Sequence, residues 1–269
     1  MSTETQFNKL ISIMAQLRNP EGGCSWDLAQ DFKSIAPHTV EEAYEVQDAI
    51  EQGDFNELRA ELGDLLFQVV FHAQMASEAN LFTIEDVLSD INEKMIRRHP
   101  HVFDKECRLT AEQVEAQWDE IKRSERAEKQ KQPNYSILDD VTRSLPSLLR
   151  ASKLSKRAAQ SCFEWPTMDA HIAKCQEEFD EVKEALAEGD KNHLAEEIGD
   201  VLFCFANLAR ANGINPEEAL RMTNEKFYRR FSGVEKDAKA MNKHIDTLDL
   251  DEYLKLWKDQ RKKEVKSAA

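Results

Sequence analysis

The sequence predicts an all-α protein made of tandem helical-bundle repeats, each built on an antiparallel helical hairpin, and three observations carry that prediction. Apolar residues recur at three- and four-residue spacing along most of the 269-residue chain, whereas strand-like alternation is scarce. Only 8 glycines and 7 prolines punctuate the chain, so long helices meet few breakers. A segment of the first half also returns in the second, shifted by 136 residues and without a gap: EEAYEVQDAIEQGDFNELRAELGDLLFQVVFHA at 41–73 lies on EEFDEVKEALAEGDKNHLAEEIGDVLFCFANLA at 177–209. Fifteen of those 33 positions are identical, which fixes the register of the two copies and hence which residues are counterparts.

Taken in chain order, the first element is an amphipathic helix. Phe7, Leu10, Ile11, Met14 and Leu17 fall at helical spacing with polar residues between them, unlike the unbroken apolar core of a signal peptide. The first hairpin follows. Val46, Ala49 and Ile50 form one stripe, Leu58, Leu62, Leu65, Leu66 and Val69 another, and Gly53-Asp54 marks the turn between them; Gly189-Asp190 does so in the second copy. Downstream, NEKMIRR at 92–98 meets NEKFYRR at 224–230, and upstream Trp26 meets Trp165, so the order of elements is the same in both halves. Between the halves, KRSERAEKQKQPNYS at 122–136 is almost free of apolar residues and contains Pro133; it reads as a linker or as the frayed end of a charged helix. The expected domains are 1–121 and 137–269, joined by 122–136.

Composition narrows the function. A formal charge of −15 argues against a surface for nucleic-acid polymers or anionic membranes, and a phosphate-bearing ligand would need local cations. No segment approaches the roughly 18 to 20 apolar residues of a membrane span. The five cysteines, Cys24, Cys107, Cys162, Cys175 and Cys204, never form a CxxC pair; reduced thiols in a cytoplasmic protein are the simpler reading.

The chemistry lies in the acids. Glu42 and Glu45 are three apart, as are Glu61 and Asp64, so each pair shares a helix face, and the short turn brings the two faces together. Glu178 and Glu181, then Glu197 and Asp200, repeat the same separations. A lone EExxE is ordinarily a solvated helix face. Asp64 and Asp200, however, stand among apolar neighbours in ELGDLLF and EIGDVLF, and Gly63 and Gly199 inside those helices suggest the close approach of another backbone. Four converging carboxylates repel one another unless a divalent cation lies among them, and an all-oxygen donor set points to magnesium or manganese.

Cations follow at i,i+4 spacing: Lys94 with Arg98, and Lys226 with Arg230, candidate phosphate clamps beside a metal. Trp118 and Trp257 lie among charged helical residues; each is a core side chain or a stacking platform for a base. His99 and His101 flank Pro100, which breaks the helical geometry that a shared metal would need.

EExxE, then E(L/I)GD in an apolar helix, then NEKxxRR, together with GGCSWD, RRHPHVF and SLPSLLRASKLSKRAA, resembles the MazG nucleoside triphosphate pyrophosphohydrolases of the all-α NTP pyrophosphatase superfamily. The resemblance implies a homodimer and magnesium-dependent hydrolysis of ribo- and deoxyribonucleoside triphosphates to monophosphate and pyrophosphate. It further implies a part in nucleotide-pool housecleaning or stress-related nucleotide control. Glu178, Glu181, Glu197 and Asp200 resemble the family's metal ligands, with Glu42, Glu45, Glu61 and Asp64 as a second-choice site. Lys174, Glu177, Lys226, Arg230 and Trp257 fall where the family contacts nucleotide, and His193 stands where related second repeats can carry lysine.

Catalysis is expected in the second repeat. There Lys174 precedes Glu178 by one turn, whereas the counterpart before Glu42 is His38. Glu177, beside Glu178 but pointing elsewhere on the helix, is the candidate for orienting the attacking water. Two other readings compete. A di-iron oxidoreductase would require Glu-x-x-His pairs, which these motifs lack. A non-enzymatic acidic scaffold or partner-binding regulator shares the charge but predicts no pyrophosphate release.

Overall fold

The computed structural model describes residues 2–103, 109–129 and 134–267, and among them it is helical with no strand, as the periodicity requires. Cys107 and Pro133 lie outside the described residues. The chain divides into two compact units, Met1–Ser124 and Glu125–Ala269. No helix is long and apolar enough to cross a membrane among the described residues.

The first unit begins with α1 (Thr3–Leu17), whose stripe packs on α4 (Phe55–Glu78). Met14, Ile35, Val70, Phe71 and Met75 form its core, with Phe7, Leu10, Ile11 and Phe67 against them. The short α2 (Ser25–Leu28) leads to α3 (Phe32–Gln52), which pairs with α4 as the hairpin. Both turn residues act as expected. Gly53 takes φ 69°, a left-handed C-cap that glycine adopts without a Cβ clash, and the Asp54 carboxylate accepts from the N–H groups of Asn56 and Glu57 to start α4. Arg18, at the end of α1, donates two hydrogen bonds to Glu78 at the end of α4 and another to the Asp27 carbonyl. That bidentate pair ties three elements together and holds the Glu78 carboxyl below its ordinary value. The unit continues through α5 (Ile84–Arg98), α6 (Pro100–Phe103) and α7 (Ala111–Lys129), so residues 122–129 of the expected linker are helical.

The second unit contains α8 (Ser147–Ala159), α9 (Met168–Glu188), α10 (Lys191–Ala211), α11 (Pro216–Ala240) and α12 (Leu250–Ser267). Here α9 and α10 are the hairpin, with Gly189 at φ 77° and Asp190 capping α10, and α8 packs on α10. Val234, Ala238 and Leu256 join α11 to α12, with Tyr253 and Trp257 packed beside them. Gly233 faces the end of the Gln260 side chain closely enough that a Cβ there would require that side chain to shift.

Two expectations need correction. A Cβ added at Gly63 or Gly199 meets nothing within 4 Å, so among the described residues no other element approaches either glycine. The apolar residues near Asp64 and Asp200 do not enclose them either. Leu62, Leu66, Ile198, Leu202 and Phe205 are themselves exposed, because in these stretches the apolar face is wider than the strip that the partner helix covers.

Candidate active site

The hairpin turn sets the register, and the register brings the acids together. In the second unit Glu178, Glu197 and Asp200 present ligand oxygens all within 4.8 Å of one another; Glu42, Glu45 and Glu61 do the same in the first. The fourth acid stays close in each case. Glu181 hydrogen-bonds the Glu178 side chain, and burial, then that bond and the Glu178 charge, raise its carboxyl above the ordinary value. Asp64 raises the Glu42 carboxyl, after burial and the nearer charge of Glu45.

The cations around the two clusters differ. Lys174 Nζ lies 2.7 Å from Glu178 Oε1 and 2.7 Å from Glu177 Oε1, two contacts that raise the lysine's proton affinity well above normal. His193 reaches Glu188 at 2.8 Å and Glu197 at 3.1 Å, and its pKa is raised chiefly by the hydrogen bond to Glu188. Glu178 is the most enclosed acid of the set, only 7% exposed. In the first unit the His38 ring pairs with Glu41 and leaves Glu42 to its acidic neighbours. All the resolved influences on Glu42 and Glu61 act in one direction, upward: desolvation and surrounding carboxylates.

Two thiols on the same hairpin, which the sequence did not mark as part of the site, feel the Glu178 charge. Burial pushes the Cys204 thiol up to about 11, with Glu178 and Cys175 adding to the effect, and Cys175 is raised for the same reasons. Both thiols are therefore protonated at neutral pH.

Arg230 and Trp257 form a second group on α11 and α12, and Lys226 lies one helical turn before Arg230 on α11. Arg230 forks onto Glu264 at 2.7 and 2.8 Å and lies 5.8 Å from the centre of the Trp257 ring, which also meets Phe227 at 5.3 Å. No hydrogen bond or ion pair joins this group to the carboxylates among the described residues. In the first unit Trp118 donates to the Arg98 carbonyl and meets the edge of His99; the His99 and His101 rings lie 5.7 Å apart, with His99 Nδ1 bonded to the Met95 carbonyl and His101 Nδ1 to Gln117.

The carboxylate sets fit a hard divalent cation. Each gathers at least three carboxylates whose oxygens approach one another, and every donor is an oxygen.

The family model described as "MazG nucleotide pyrophosphohydrolase domain" matches residues 30–103 and 167–234, one hairpin with its acids in each window. An Escherichia coli K12 protein named nucleoside triphosphate pyrophosphohydrolase is 46% identical over 262 residues, covering 97% of this chain and 98% of its own. A Thermotoga maritima protein named nucleoside triphosphate pyrophosphohydrolase/pyrophosphatase MazG is 40% identical, with 92% and 93% covered. A Mycobacterium tuberculosis nucleoside triphosphate pyrophosphohydrolase is 36% identical over 155 residues, 57% of this chain and 46% of its own. With two matched windows and full-length likeness to such proteins, the chain belongs to the MazG nucleotide pyrophosphohydrolase family.

Proposed function

We propose that the chain is a metal-dependent hydrolase that cleaves nucleoside triphosphates to the monophosphate and pyrophosphate, and that it does so at the α9–α10 hairpin. The observation that carries this reading is the pairing of acids with cations there: three carboxylates within 4.8 Å, with Lys174 on Glu178 and His193 on Glu197. A triphosphate needs both signs, anions to hold its counter-ion and cations for its own oxygens. The first-unit cluster offers chiefly the former, and its Glu42, Glu45, Glu61 and Asp64 are the second-choice metal site.

Glu178, Glu181, Glu197 and Asp200 would hold magnesium or manganese. Such an ion, when bound, draws charge from the phosphate oxygens and lowers the cost of displacement at phosphorus. Lys174 presents a permanent positive charge to the triphosphate, and His193 a weaker, titratable one. Glu177, paired to Lys174 through Oε1 and 60% exposed at its side chain, would orient a water molecule and take its proton. Water forms the new P–O bond as the bridge between the α and β phosphates breaks, and no protein nucleophile intervenes. Lys226 and Arg230, with Trp257 against the arginine, would receive the outer phosphates.

The exposed apolar residues of the hairpin, Ile172, Phe179, Leu186, Ile198, Leu202 and Phe205, support a homodimer in which a second copy covers them. Free Cys24, Cys162, Cys175 and Cys204 support a cytoplasmic setting, and broad action on nucleotides suits housecleaning of the pool.

The test is pyrophosphate release from a panel of ribo- and deoxyribonucleoside triphosphates. Activity is expected with magnesium or manganese, with preferences between bases below about a thousandfold. Turnover that survives exhaustive chelation, or absence of pyrophosphate across the panel, overturns the reading and favours an acidic scaffold.

A further inference from the structure

Arg230, the contact proposed for the outer phosphates, already holds an anion that belongs to the protein itself. Its Nε and Nη2 donate to Glu264 Oε2 at 2.8 and 2.7 Å, and Arg229 gives its Nε and Nη2 to Glu264 Oε1 at 3.0 and 2.8 Å. Two guanidinium forks thus converge on one carboxylate with two donors on each oxygen, a donor set that suits phosphate oxygens equally well. The two arginines, Arg230 foremost, hold the Glu264 carboxyl below its ordinary value, so it is charged at neutral pH.

The carboxylate is delivered to the arginines by the docking of α12 on α11. Val234, Ala238 and Leu256 pack the two helices together. Asp237, two turns beyond Arg230 on α11, accepts from Gln260 Nε2 at 2.6 Å and from Lys263 Nζ at 2.8 Å, which fixes the last turns of α12 in register. Trp257 and Glu264, seven residues apart, share a face of α12, and both meet Arg230. An incoming phosphate leaves the indole undisturbed. On the Nε–Nη2 edge of Arg230 it must displace Glu264, and on the remaining edge it meets that negative charge at close range.

The same residues recur in the sequence. Arg97-Arg98 and Arg229-Arg230 close the matching NEKxxRR motifs, and a glutamate follows each tryptophan by seven residues, Trp118 with Glu125 and Trp257 with Glu264. That recurrence marks the acid as part of the repeated unit rather than as a chance contact of the last helix.

We propose that Glu264 is a resident competitor for the phosphate clamp, a carboxylate that occupies Arg229 and Arg230 until the outer phosphates of the substrate displace it and that returns as pyrophosphate leaves. This rests on the reading of Arg230 as a phosphate contact. The device keeps two adjacent guanidinium charges balanced in the empty enzyme and holds down affinity for the product. Because Glu264 opposes the phosphates equally in the ground state and the transition state, it acts on KM and on pyrophosphate affinity rather than on kcat.

Calorimetric titration of pyrophosphate with magnesium into the full-length protein, beside steady-state kinetics, tests this. Glu264→Gln keeps the size of the side chain, and Glu264→Ala removes its hydrogen bonds as well as its charge. Both are expected to bind pyrophosphate about three- to thirtyfold more tightly than the parent and to lower the triphosphate KM by a similar factor, with kcat within about threefold. Asp237→Asn loosens α12 without altering the charges on the clamp and should leave pyrophosphate affinity within about twofold. A tightening in Asp237→Asn equal to that in Glu264→Gln would show that helix docking rather than the carboxylate governs access, and overturns the proposal. Unchanged or weaker pyrophosphate binding in folded Glu264 variants of an active enzyme overturns it too, weaker binding because Glu264 would then position the arginines for the ligand. Arg230→Gln separates the proposal from the reading beneath it: pyrophosphate affinity equal to the parent's would remove Arg230 from the phosphate contacts and overturn both. A parent protein that neither releases nor binds pyrophosphate does the same.

Discussion

Lys174→Met isolates the charge logic of the site. Lys174 is 26% exposed at its side chain and Glu178 9%, so the pair lies between a surface bridge and a buried one. Breaking a buried pair costs about 3 to 5 kcal/mol and an exposed one under about 1; about 2 kcal/mol is expected for the metal-free protein. The sign reverses for cation binding. Each pair of unit charges 4 Å apart interacts by about 4 kcal/mol at an effective dielectric constant of 20, and solvent access together with the mobile lysine stem reduces the repulsion to about 1 to 2. The variant should therefore bind manganese or magnesium about tenfold more tightly without nucleotide, yet show a raised KM for the triphosphate because a phosphate contact is gone. Saturating cation should recover most of the lost stability by mass action. Calorimetric cation titration and thermal unfolding with and without magnesium measure both effects. Weaker cation binding, or a stability loss that magnesium leaves untouched, would show that the Lys174 charge does not compete with a cation at Glu178. The raised pKa of Lys174 keeps its ion pairs intact below the ordinary lysine value of 10.5, and they are lost only as pH rises through the higher folded-state value, so neutral pH does not perturb the comparison.

Substituting Glu178→Ala with Asp200→Asn should cut pyrophosphate release at least about a hundredfold, some 2.7 kcal/mol of transition-state stabilisation, while Glu42→Ala with Asp64→Asn keeps most of it; equal losses would place the chemistry in the wrong unit. His193, its pKa raised above 6.5 by Glu188, carries its charge below that folded value and loses it as pH rises through it. KM should therefore climb on the alkaline side by about two- to fivefold, and His193→Lys should flatten that limb; an unchanged pH profile excludes the contact. Light scattering should give twice the 30.9 kDa chain mass. Gly199→Ala, unopposed among the described residues, should weaken that dimer at least about tenfold by overpacking a face that a second copy covers; an unaffected dimer with a gain in thermal stability would show the glycine faces only solvent.

By itself the sequence determined what depends on local geometry. Period-3.6 apolar stripes specify helices, Gly53-Asp54 and Gly189-Asp190 specify where each hairpin turns, and acids three apart on both arms must then meet across it. The duplicated register made the whole constellation legible twice. Tertiary structure alone decided what depends on which neighbour covers a face. At identical spacings the close trio is Glu42, Glu45 and Glu61 in one unit but Glu178, Glu197 and Asp200 in the other. Gly199 is open where its helix position suggested contact, while Gly233, which no motif marked, touches Gln260. Phe71 fills the first unit where Asn207 lines a cavity in the second. Helical periodicity fixes the direction in which a side chain leaves its own axis, but the distance to the next surface is set by packing between elements remote in sequence, and no local pattern encodes it.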